Sequence, residues 1–219
     1  MSDNVTIVIP IKTRNNRLPG KNTKLLNGKP LYSYLFATLK KLSSVSSVYV
    51  DSSDEEILRI AAEHEFKTFK RAKHLNSDDS SGDDLLLNIM SNIKFEIVGQ
   101  LHVTTPFLKS TTIQSAIDLM RSKPSINTVM GVIERRNRFW YKENPINHDI
   151  KNLIETQNLE PVYEESPDMY FFRRSSFLKY KRRVCGRIRF VTVDAIEGLD
   201  IDTIKDFHLA EAILKLGIS

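Results

Sequence analysis

Short apolar runs alternate along the chain with longer segments whose hydrophobic residues recur every three or four positions. The apolar runs predict buried strands, and the longer recurrence predicts amphipathic helices. The predicted strands cover residues 5–9, 48–50, 66–69, 97–103 and 127–133, and the predicted helices begin at residue 31, follow Ser53, cover 85–93 and about 110–121, and follow Thr203. This alternation predicts an α/β fold with helices flanking a mostly parallel sheet.

Two of these helix starts carry a capping-box pattern. Ser53 is followed three positions later by Glu56, and Thr203 by Asp206. In such a box the first side chain accepts a hydrogen bond from the backbone near the helix start. The polar run 76–84, between the strand at 66–69 and the helix at 85–93, is predicted to be a loop.

Residues 134–181 interrupt the alternation, because they are polar, aromatic and irregular. We therefore expect one domain, residues 1–219, with an insertion at about 134–181. The insertion would form a lid over a site or a contact with another subunit, since exposed aromatic residues often mark interfaces. Simple core packing of Trp140 and Phe171 is an equal alternative.

Composition and charge narrow the possible partners. The 219 residues carry a net charge of +5, which suits an anionic substrate or nucleic acid, or a basic surface with no particular partner. Cys185 is the one cysteine, which rules out an internal disulfide and fits a reducing compartment. The first residues lack a signal-peptide pattern, and no apolar run approaches about 20 residues. We expect a cytoplasmic protein with no membrane partner.

A cation-rich loop follows the first predicted strand. Lys12, Arg14, Arg17 and Lys21 supply positive charge, and the Pro-Gly turn before Lys21 can direct backbone N–H groups at an anion. The loop matches neither the Walker pattern nor the dinucleotide glycine pattern. Its cations and its turn nevertheless suit a triphosphate, so the loop is interpreted as a triphosphate cradle. A solvated basic loop is the alternative.

Asp200 and Asp202 are separated by one apolar residue near the C-terminus. In an extended segment, side chains two positions apart share one face, so the two carboxylates converge. Mg²⁺ prefers such oxygen ligands. The alternative is that Asp202 only caps the last helix, although Thr203 could also do so.

A third group of polar residues follows the strand at 97–103. His102 is a candidate proton carrier near neutral pH or a hydrogen-bond donor to a ligand, with a purely structural histidine as the alternative. Thr104 adds a hydroxyl beside it, and Arg71 and Ser81 lie near the end of another predicted strand.

Three motifs together resemble the acylneuraminate cytidylyltransferases, the CMP-sialic acid synthetase-like family. The motifs are I-P-x-K-x-x-x-x-R-L-P-G-K-N followed by L-L-N-G-K-P-L, then L-H-V-T-T-P-F-L, then E-G-L-D-I-D-T-I-K-D-F. Their order and spacing agree over nearly the whole chain. The resemblance implies a single cytidylyltransferase domain of the nucleotide-diphospho-sugar transferase type, dependence on Mg²⁺, and a homodimer in which a small excursion of the chain helps to build the partner's site.

The resemblance also implies roles for individual residues. It assigns Lys12 and Lys21 to the triphosphate, Asn22 to the nucleotide, Arg71 and Ser81 to the CTP pocket, and Asp200 and Asp202 to the metal. His102 stands where many members have glutamine near the sugar, and we place Thr104 and Gln157 with it. Glu155 lies where an arginine is expected, which bears on the choice of sugar.

The predicted function is Mg²⁺-dependent transfer of CMP from CTP to the anomeric hydroxyl of a nonulosonic (sialic acid-like) or related 2-keto-3-deoxy acid sugar. Lys12, Lys21 and Arg71 would stabilise the charge on the leaving pyrophosphate. The predicted partners are CTP, an acidic sugar and a second copy of the chain, with no nucleic acid.

Four alternatives remain at this point. One is a cytidylyltransferase with a different acceptor, and another is a nucleotide-sugar glycosyltransferase, in which D-x-D also occurs. The third is a nucleic-acid-binding module that uses the basic run 179–183. The last is a family member that has lost catalysis and serves as a binding partner.

Overall fold

A computed structural model of the chain describes residues 4–12, 17–77 and 80–218. In chain order these residues form β1 (Val5–Pro10), β2 (Leu25–Leu26), β3 (Lys29–Pro30), α1 (Leu31–Leu39), β4 (Ser47–Ser52), α2 (Glu55–Glu63), β5 (Lys67–Lys70), α3 (Gly82–Asn92), β6 (Ile97–Leu101), α4 (Ser110–Ser122), β7 (Thr128–Arg135), β8 (Trp140–Tyr141), β9 (Asn144–Pro145), β10 (Val162–Arg173), α5 (Arg174–Tyr180), β11 (Ile188–Val193) and α6 (Ile204–Leu216). No helix in these ranges combines the length and the apolar character that crossing a membrane requires.

A central sheet orders the strands β11-β7-β10-β6-β1-β4-β5. Neighbouring strands are parallel, except that β10 runs antiparallel to both β6 and β7. The predicted α/β fold with a mostly parallel sheet is therefore confirmed.

Both faces of the sheet are covered, which explains why β1 is apolar at nearly every position. Ile7 and Ile9 point into a cluster with α1, α2 and α4, whereas Val8 points into a second cluster with α3 and α5. All three side chains are buried. Successive side chains of a strand face opposite sides, so a strand covered on both faces needs a continuous apolar run.

The predicted insertion is wrong over its second half. Residues 162–173 form β10, which lies between β6 and β7 in the middle of the sheet, and α5 follows it. The sequence pattern did not predict this strand because its first half is polar. Its pairing is also irregular between Glu165 and Tyr170, which interrupts the regular alternation of a strand. The excursion from the sheet is therefore limited to residues 136–161. Phe171 is fully buried, whereas Trp140 is 53% exposed.

The helix starts agree with the predictions in part. Thr203 and Asp206 form the predicted capping box of α6. At α2 the capping residue is Asp54, not Ser53, and its carboxylate accepts from two backbone N–H groups. The predicted loop 76–84 ends earlier than expected, because Ser81 caps α3 and the helix begins at Gly82.

Candidate functional site

A pocket of about 280 Å³ opens beyond the carboxyl ends of β1 and β6, which are adjacent parallel strands. Ligands of open α/β sheets bind at this edge. The pocket is lined by Pro10, Lys12, Arg17, Lys21, Asn22, Ser80, Gly82, Leu85, Gln100, His102, Val103, Thr104, Asp200 and Asp202. The sequence-based candidates Lys12, Lys21, Asn22, His102, Thr104, Asp200 and Asp202 are therefore brought together.

Lys21 is a buried cation at the base of this pocket. It is only 4% exposed and follows Gly20, whose left-handed backbone (φ 66°) turns the chain into a short 3₁₀ turn. Its ammonium group lies 3.0 Å from Oδ1 of Asp202, and Arg17 Nη1 lies 2.7 Å from Oδ2 of the same carboxylate. Two cations of the opening loop thus meet one aspartate from the other end of the chain.

Lys12 extends from the end of β1 toward the loop that precedes α3. Its ammonium group donates to the backbone carbonyls of Ser77 and Ser80, at 3.2 Å each. Asn22 donates its side-chain amide to the carbonyl oxygen of Lys12 at 2.6 Å, and so fixes the backbone there. Arg14, another predicted cation of this loop, lies outside the described residues.

Asp200 and Asp202 both line the pocket because the residue between them is anchored. Ile201 is fully buried, and its backbone N–H donates to the carbonyl of Thr104 at 2.8 Å. Thr203 caps α6, so the alternative in which Asp202 is only a helix cap is wrong.

The electrostatics of Asp200 suit a cation. Burial raises the pKa of Asp200, and the neighbouring charge of Asp202 adds to that effect while Thr104 opposes it. Oδ1 of Asp200 is buried and has no hydrogen-bond partner among the described residues. No group of three or more His, Cys, Asp or Glu residues in those ranges could hold a metal. The protein would thus offer two carboxylates, which matches the way Mg²⁺ is held together with substrate phosphates.

His102 follows β6 and is neutral at pH 7. Burial, followed by the positive charges of Arg183 and Lys21, lowers its pKa to about 4. Proton transfer by His102 near neutral pH therefore has no support, whereas hydrogen bonding by the neutral ring fits its position in the pocket.

Gln100 is a pocket residue that the sequence analysis missed. Its side-chain nitrogen and oxygen are both buried and have no partner within the described ranges. The available signal was a glutamine inside an apolar strand, IVGQL, where an unpaired amide would be costly.

Arg71 does not line the pocket. It forms a buried ion pair with Asp51. Nε of Arg71 lies 3.1 Å from Oδ1 of Asp51, and Nη2 of Arg71 lies 3.1 Å from Oδ2 and 2.7 Å from the backbone oxygen of Asp51. Burial raises the pKa of Asp51, although Arg71 and Lys12 both oppose the shift. Nη1 of Arg71 is buried without a partner in the described part of the chain.

Ser81 and Gln157 also lie outside the pocket lining. The Ser81 hydroxyl donates to Asp84 at 2.7 Å and caps α3, while its neighbours Ser80 and Gly82 reach the pocket. Gln157 lies in the exposed excursion and donates to Glu155 at 2.6 Å.

Comparisons with known proteins agree with this geometry. The family described as Cytidylyltransferase matches residues 6–217. The chain is 24% identical over 226 residues to the CMP-N,N'-diacetyllegionaminic acid synthase of Legionella pneumophila, covering 97% of this chain and 97% of that protein. It is 24% identical over 221 residues to the pseudaminic acid cytidylyltransferase of Campylobacter jejuni, covering 95% of each.

A solved structure shares the fold. The structure of CMP:2-keto-3-deoxy-manno-octonic acid synthetase complexed with CTP superposes with a TM-score of 0.73 at 18% identity, and the match covers 98% of this chain and 99% of that one. The resemblance that the sequence motifs predicted is confirmed by the family and sequence matches.

Proposed function

Because the chain belongs to the cytidylyltransferase family, we propose that it transfers CMP from CTP to the anomeric hydroxyl of a nonulosonic acid or a related 2-keto-3-deoxy acid sugar. The products are a CMP-sugar and pyrophosphate. Two similar proteins are named for sugars of this class, legionaminic and pseudaminic acids. The observation that carries the proposal is the pocket in which Lys12, Arg17 and Lys21 meet Asp200 and Asp202.

In the proposed reaction, the sugar oxygen forms a bond to the α-phosphorus of CTP, and the bond from that phosphorus to the pyrophosphate oxygen breaks. The hydroxyl proton passes to solvent. Negative charge builds on the leaving pyrophosphate, and Lys12 and Lys21 stabilise it. Preorganised cations stabilise such charge effectively because they are already in place when it develops.

We propose that Asp200 and Asp202 hold Mg²⁺. The unpartnered, buried Oδ1 of Asp200 and the raised pKa of that carboxyl support this assignment. When bound, the ion would neutralise phosphate charge and lower the pKa of the attacking hydroxyl. Lys21 and Arg17, which pair with Asp202 in this structure, can turn to the phosphates once the carboxylate has another cation.

We also propose that Asn22 positions Lys12 against the nucleotide, and that Arg71 directs Nη1, which has no hydrogen-bond partner among the described residues, toward the same ligand. Support for Arg71 comes from the buried, unpaired nitrogen and from Lys12, whose charge acts on Asp51, the partner of Arg71. Ser81 would act through the α3 cap, beside two residues of the pocket.

We propose that the protein is a cytoplasmic homodimer. The excursion at residues 136–161 presents many apolar side chains to solvent, which supports a contact with a second copy. They are Trp140, Tyr141, Ile146, Ile150, Leu153 and Ile154. Gln157 lies on the same excursion, and we place it at the sugar site of the partner subunit.

The test is pyrophosphate release from each of the four common nucleoside triphosphates with Mg²⁺, with and without a panel of acid sugars. The panel contains N-acetylneuraminate, KDN, Kdo, legionaminate and pseudaminate. Among the four nucleotides we expect pyrophosphate release only from CTP. Among the sugars we expect release only when one or a few of the acids are present. Sugar-independent release, or equal release from all four nucleotides, would contradict the proposal.

A further inference from the structure

Two pocket residues carry polar atoms that the protein itself leaves unsatisfied. Both side-chain atoms of the Gln100 amide and Nε2 of His102 are buried without a hydrogen-bond partner in the described ranges. Buried polar groups in native proteins are nearly always paired, so such atoms within a pocket indicate ligand contacts. Because Gln100 has a donor and an acceptor and the His102 ring is neutral, the ligand that suits them carries hydroxyl or amide groups.

Arg183 stands beside these two residues. Its guanidinium carbon lies 4.3 Å from the centre of the Tyr170 ring, and Tyr170 is held in turn by a 2.6 Å hydrogen bond from its hydroxyl to Glu165. The ring centres of Tyr170 and His102 are 6.4 Å apart. Arg183 is thus fixed as a flat cation on an aromatic surface, an arrangement that favours arginine over lysine.

Arg183 is not among the residues that line the pocket, but its guanidinium lies directly against Gly82, which is one of them. A Cβ atom at Gly82 would lie 2.3 Å from Nη1 of Arg183 and 3.4 Å from Nε2 of Gln100, and Gly82 itself lines the pocket. Any larger residue there would displace the guanidinium or narrow the pocket wall.

The Arg183 side chain has a hydrogen bond with Tyr170, but no carboxylate of the described residues lies within hydrogen-bond distance of its guanidinium. Its side chain is 23% exposed, and the nearest carboxylate oxygen, Oδ1 of Asp83, lies 3.8 Å from Nη1, too far for a hydrogen bond. Asp83 instead accepts the backbone N–H of Arg183 at 3.2 Å, which fixes the main chain. A planar guanidinium pairs best with a carboxylate, through two parallel hydrogen bonds.

We propose that Arg183 binds the carboxylate of the acceptor sugar, while Gln100 and His102 hydrogen-bond its hydroxyl or amide groups. This inference rests on the proposed function. It supplies a cation that determines specificity for acid sugars, since Glu155 stands where the family resemblance leads one to expect an arginine. The charges of Arg183 and Lys21 both act on His102, so His102 lies within electrostatic range of both cations. Lys21 belongs to the triphosphate end, and Arg183 marks the acceptor end.

The test compares an acid sugar that the wild-type enzyme uses with the methyl ester of the same sugar. The variants are Arg183→Gln and, as the matched control, Arg182→Gln, which changes an exposed neighbouring arginine. We expect Arg183→Gln to raise KM for the acid about 10- to 100-fold, the value of a charge-assisted hydrogen-bonded pair, with a much smaller change for the ester. The wild-type preference for acid over ester should therefore nearly disappear, whereas Arg182→Gln should retain it.

Calorimetric titration with CTP and Mg²⁺ distinguishes a failure of the Arg183 assignment from a failure of the proposed function. Arg183→Gln should bind CTP within about twofold of wild type, which also shows that the variant is folded. An unchanged preference for acid over ester in Arg183→Gln overturns this inference and leaves the proposed function intact. Weakened CTP binding by Arg183→Gln also overturns it, because Arg183 would then contact the nucleotide and not the acceptor sugar. Wild-type protein that binds CTP but releases pyrophosphate with none of the acids overturns the proposed function, and this inference with it.

Discussion

The ammonium nitrogen of Lys21 lies 3.0 Å from Oδ1 of Asp202, although 181 positions separate the two residues in the chain. The contact joins the loop after β1 to the segment before α6. Lys21 is almost fully buried, so without a ligand it needs an anion close by. Asp202 is that anion in this structure. In the proposed function a bound triphosphate would take its place, and the pair would keep the charged pocket stable until substrate binds.

Replacement of Lys21 by methionine should remove most of the activity and leave the protein folded. Methionine has a similar length but no charge, so the charge on the leaving pyrophosphate loses a preorganised partner. Loss of one such contact costs about 100- to 1,000-fold in kcat. Steady-state pyrophosphate release measures the effect, and Lys41→Met, at an exposed position after α1, is the control. Equal rates for the two variants would exclude Lys21 from catalysis.

The carboxylate Asp202 should be required for the response to Mg²⁺. In Asp202→Asn the shape is kept and the charge is lost, so the Mg²⁺ concentration that gives half-maximal rate should rise at least about tenfold, as hard cations need charged oxygen ligands. Pyrophosphate release over a Mg²⁺ titration measures this concentration. Asp118→Asn, at an exposed position on α4, is the matched control. A wild-type Mg²⁺ response in Asp202→Asn would rule out the metal assignment.

Much of this site was predictable because the segments that follow the strands have recognisable local sequence patterns. The apolar run of β1 and its cation-rich loop identify one side of the pocket, and the Asp-x-Asp segment before a clear capping box identifies another. Parallel strands bring such ends to one edge of the sheet, so residues far apart in sequence meet there. Lys12, Lys21, Asp200 and Asp202 were found in this way.

The remaining features depend on contacts that no local pattern encodes. Strand β10 is buried in the middle of the sheet, yet Glu164 and Glu165 in its first half resemble a surface loop. The family resemblance assigned Arg71 to the CTP pocket, but it could not reveal the buried partner of Arg71, Asp51, which lies 20 positions earlier. Arg183 appeared only as part of a basic run, since its contact with Tyr170 comes from the tertiary fold.

The buried pair of Arg71 and Asp51 should contribute strongly to stability. Arg71→Met leaves a buried aspartate without its cation, which should lower the free energy of unfolding by about 3–5 kcal/mol. Urea unfolding at pH 7 measures the loss. Arg59→Met, which removes exposed helix-surface pairs with Glu56 and Glu63, should change the free energy of unfolding far less, because water screens both pairs.

The double variant Arg71→Met with Asp51→Leu tests the cause of that loss. Removal of both charges should restore part of the stability, because neither group is then buried unpaired. If Arg71→Met instead keeps wild-type stability and loses only CTP affinity, Arg71 acts on the nucleotide and the ion pair has little structural weight.

The exposed excursion at residues 136–161 should control the oligomeric state. Leu153 is 62% exposed there, and a glutamate in its place would put a charge into the proposed apolar contact. Sedimentation velocity should show a dimer for the wild type and a shift toward monomer for Leu153→Glu. Leu216→Glu, at the end of α6, should remain a dimer. A wild-type protein that is monomeric at high micromolar concentration would contradict the dimer proposal.

Asp168 should make the protein less stable as pH rises from about 4 to 7. This fully buried carboxyl accepts the backbone N–H of Met169 at 2.6 Å through Oδ1, while Oδ2 has no partner among the described residues, and burial raises its pKa to about 7. In the unfolded chain the group has an ordinary pKa near about 4. Over this window the folded state therefore holds a proton that the unfolded state has lost. By linkage, the free energy of unfolding must then fall with increasing pH, by up to about 4 kcal/mol.

Asp168→Asn removes this titration because the amide stays neutral. Urea unfolding at pH 5 and pH 8 should show a large loss of stability for the wild type between the two values and a smaller loss for Asp168→Asn. The exposed change Asp118→Asn should follow the wild type. Since all other carboxyls contribute to each measurement, the difference between the two pH slopes is the decisive quantity. Equal slopes would mean that Asp168 is ionised in the folded protein at pH 5, with its charge satisfied by the surrounding backbone.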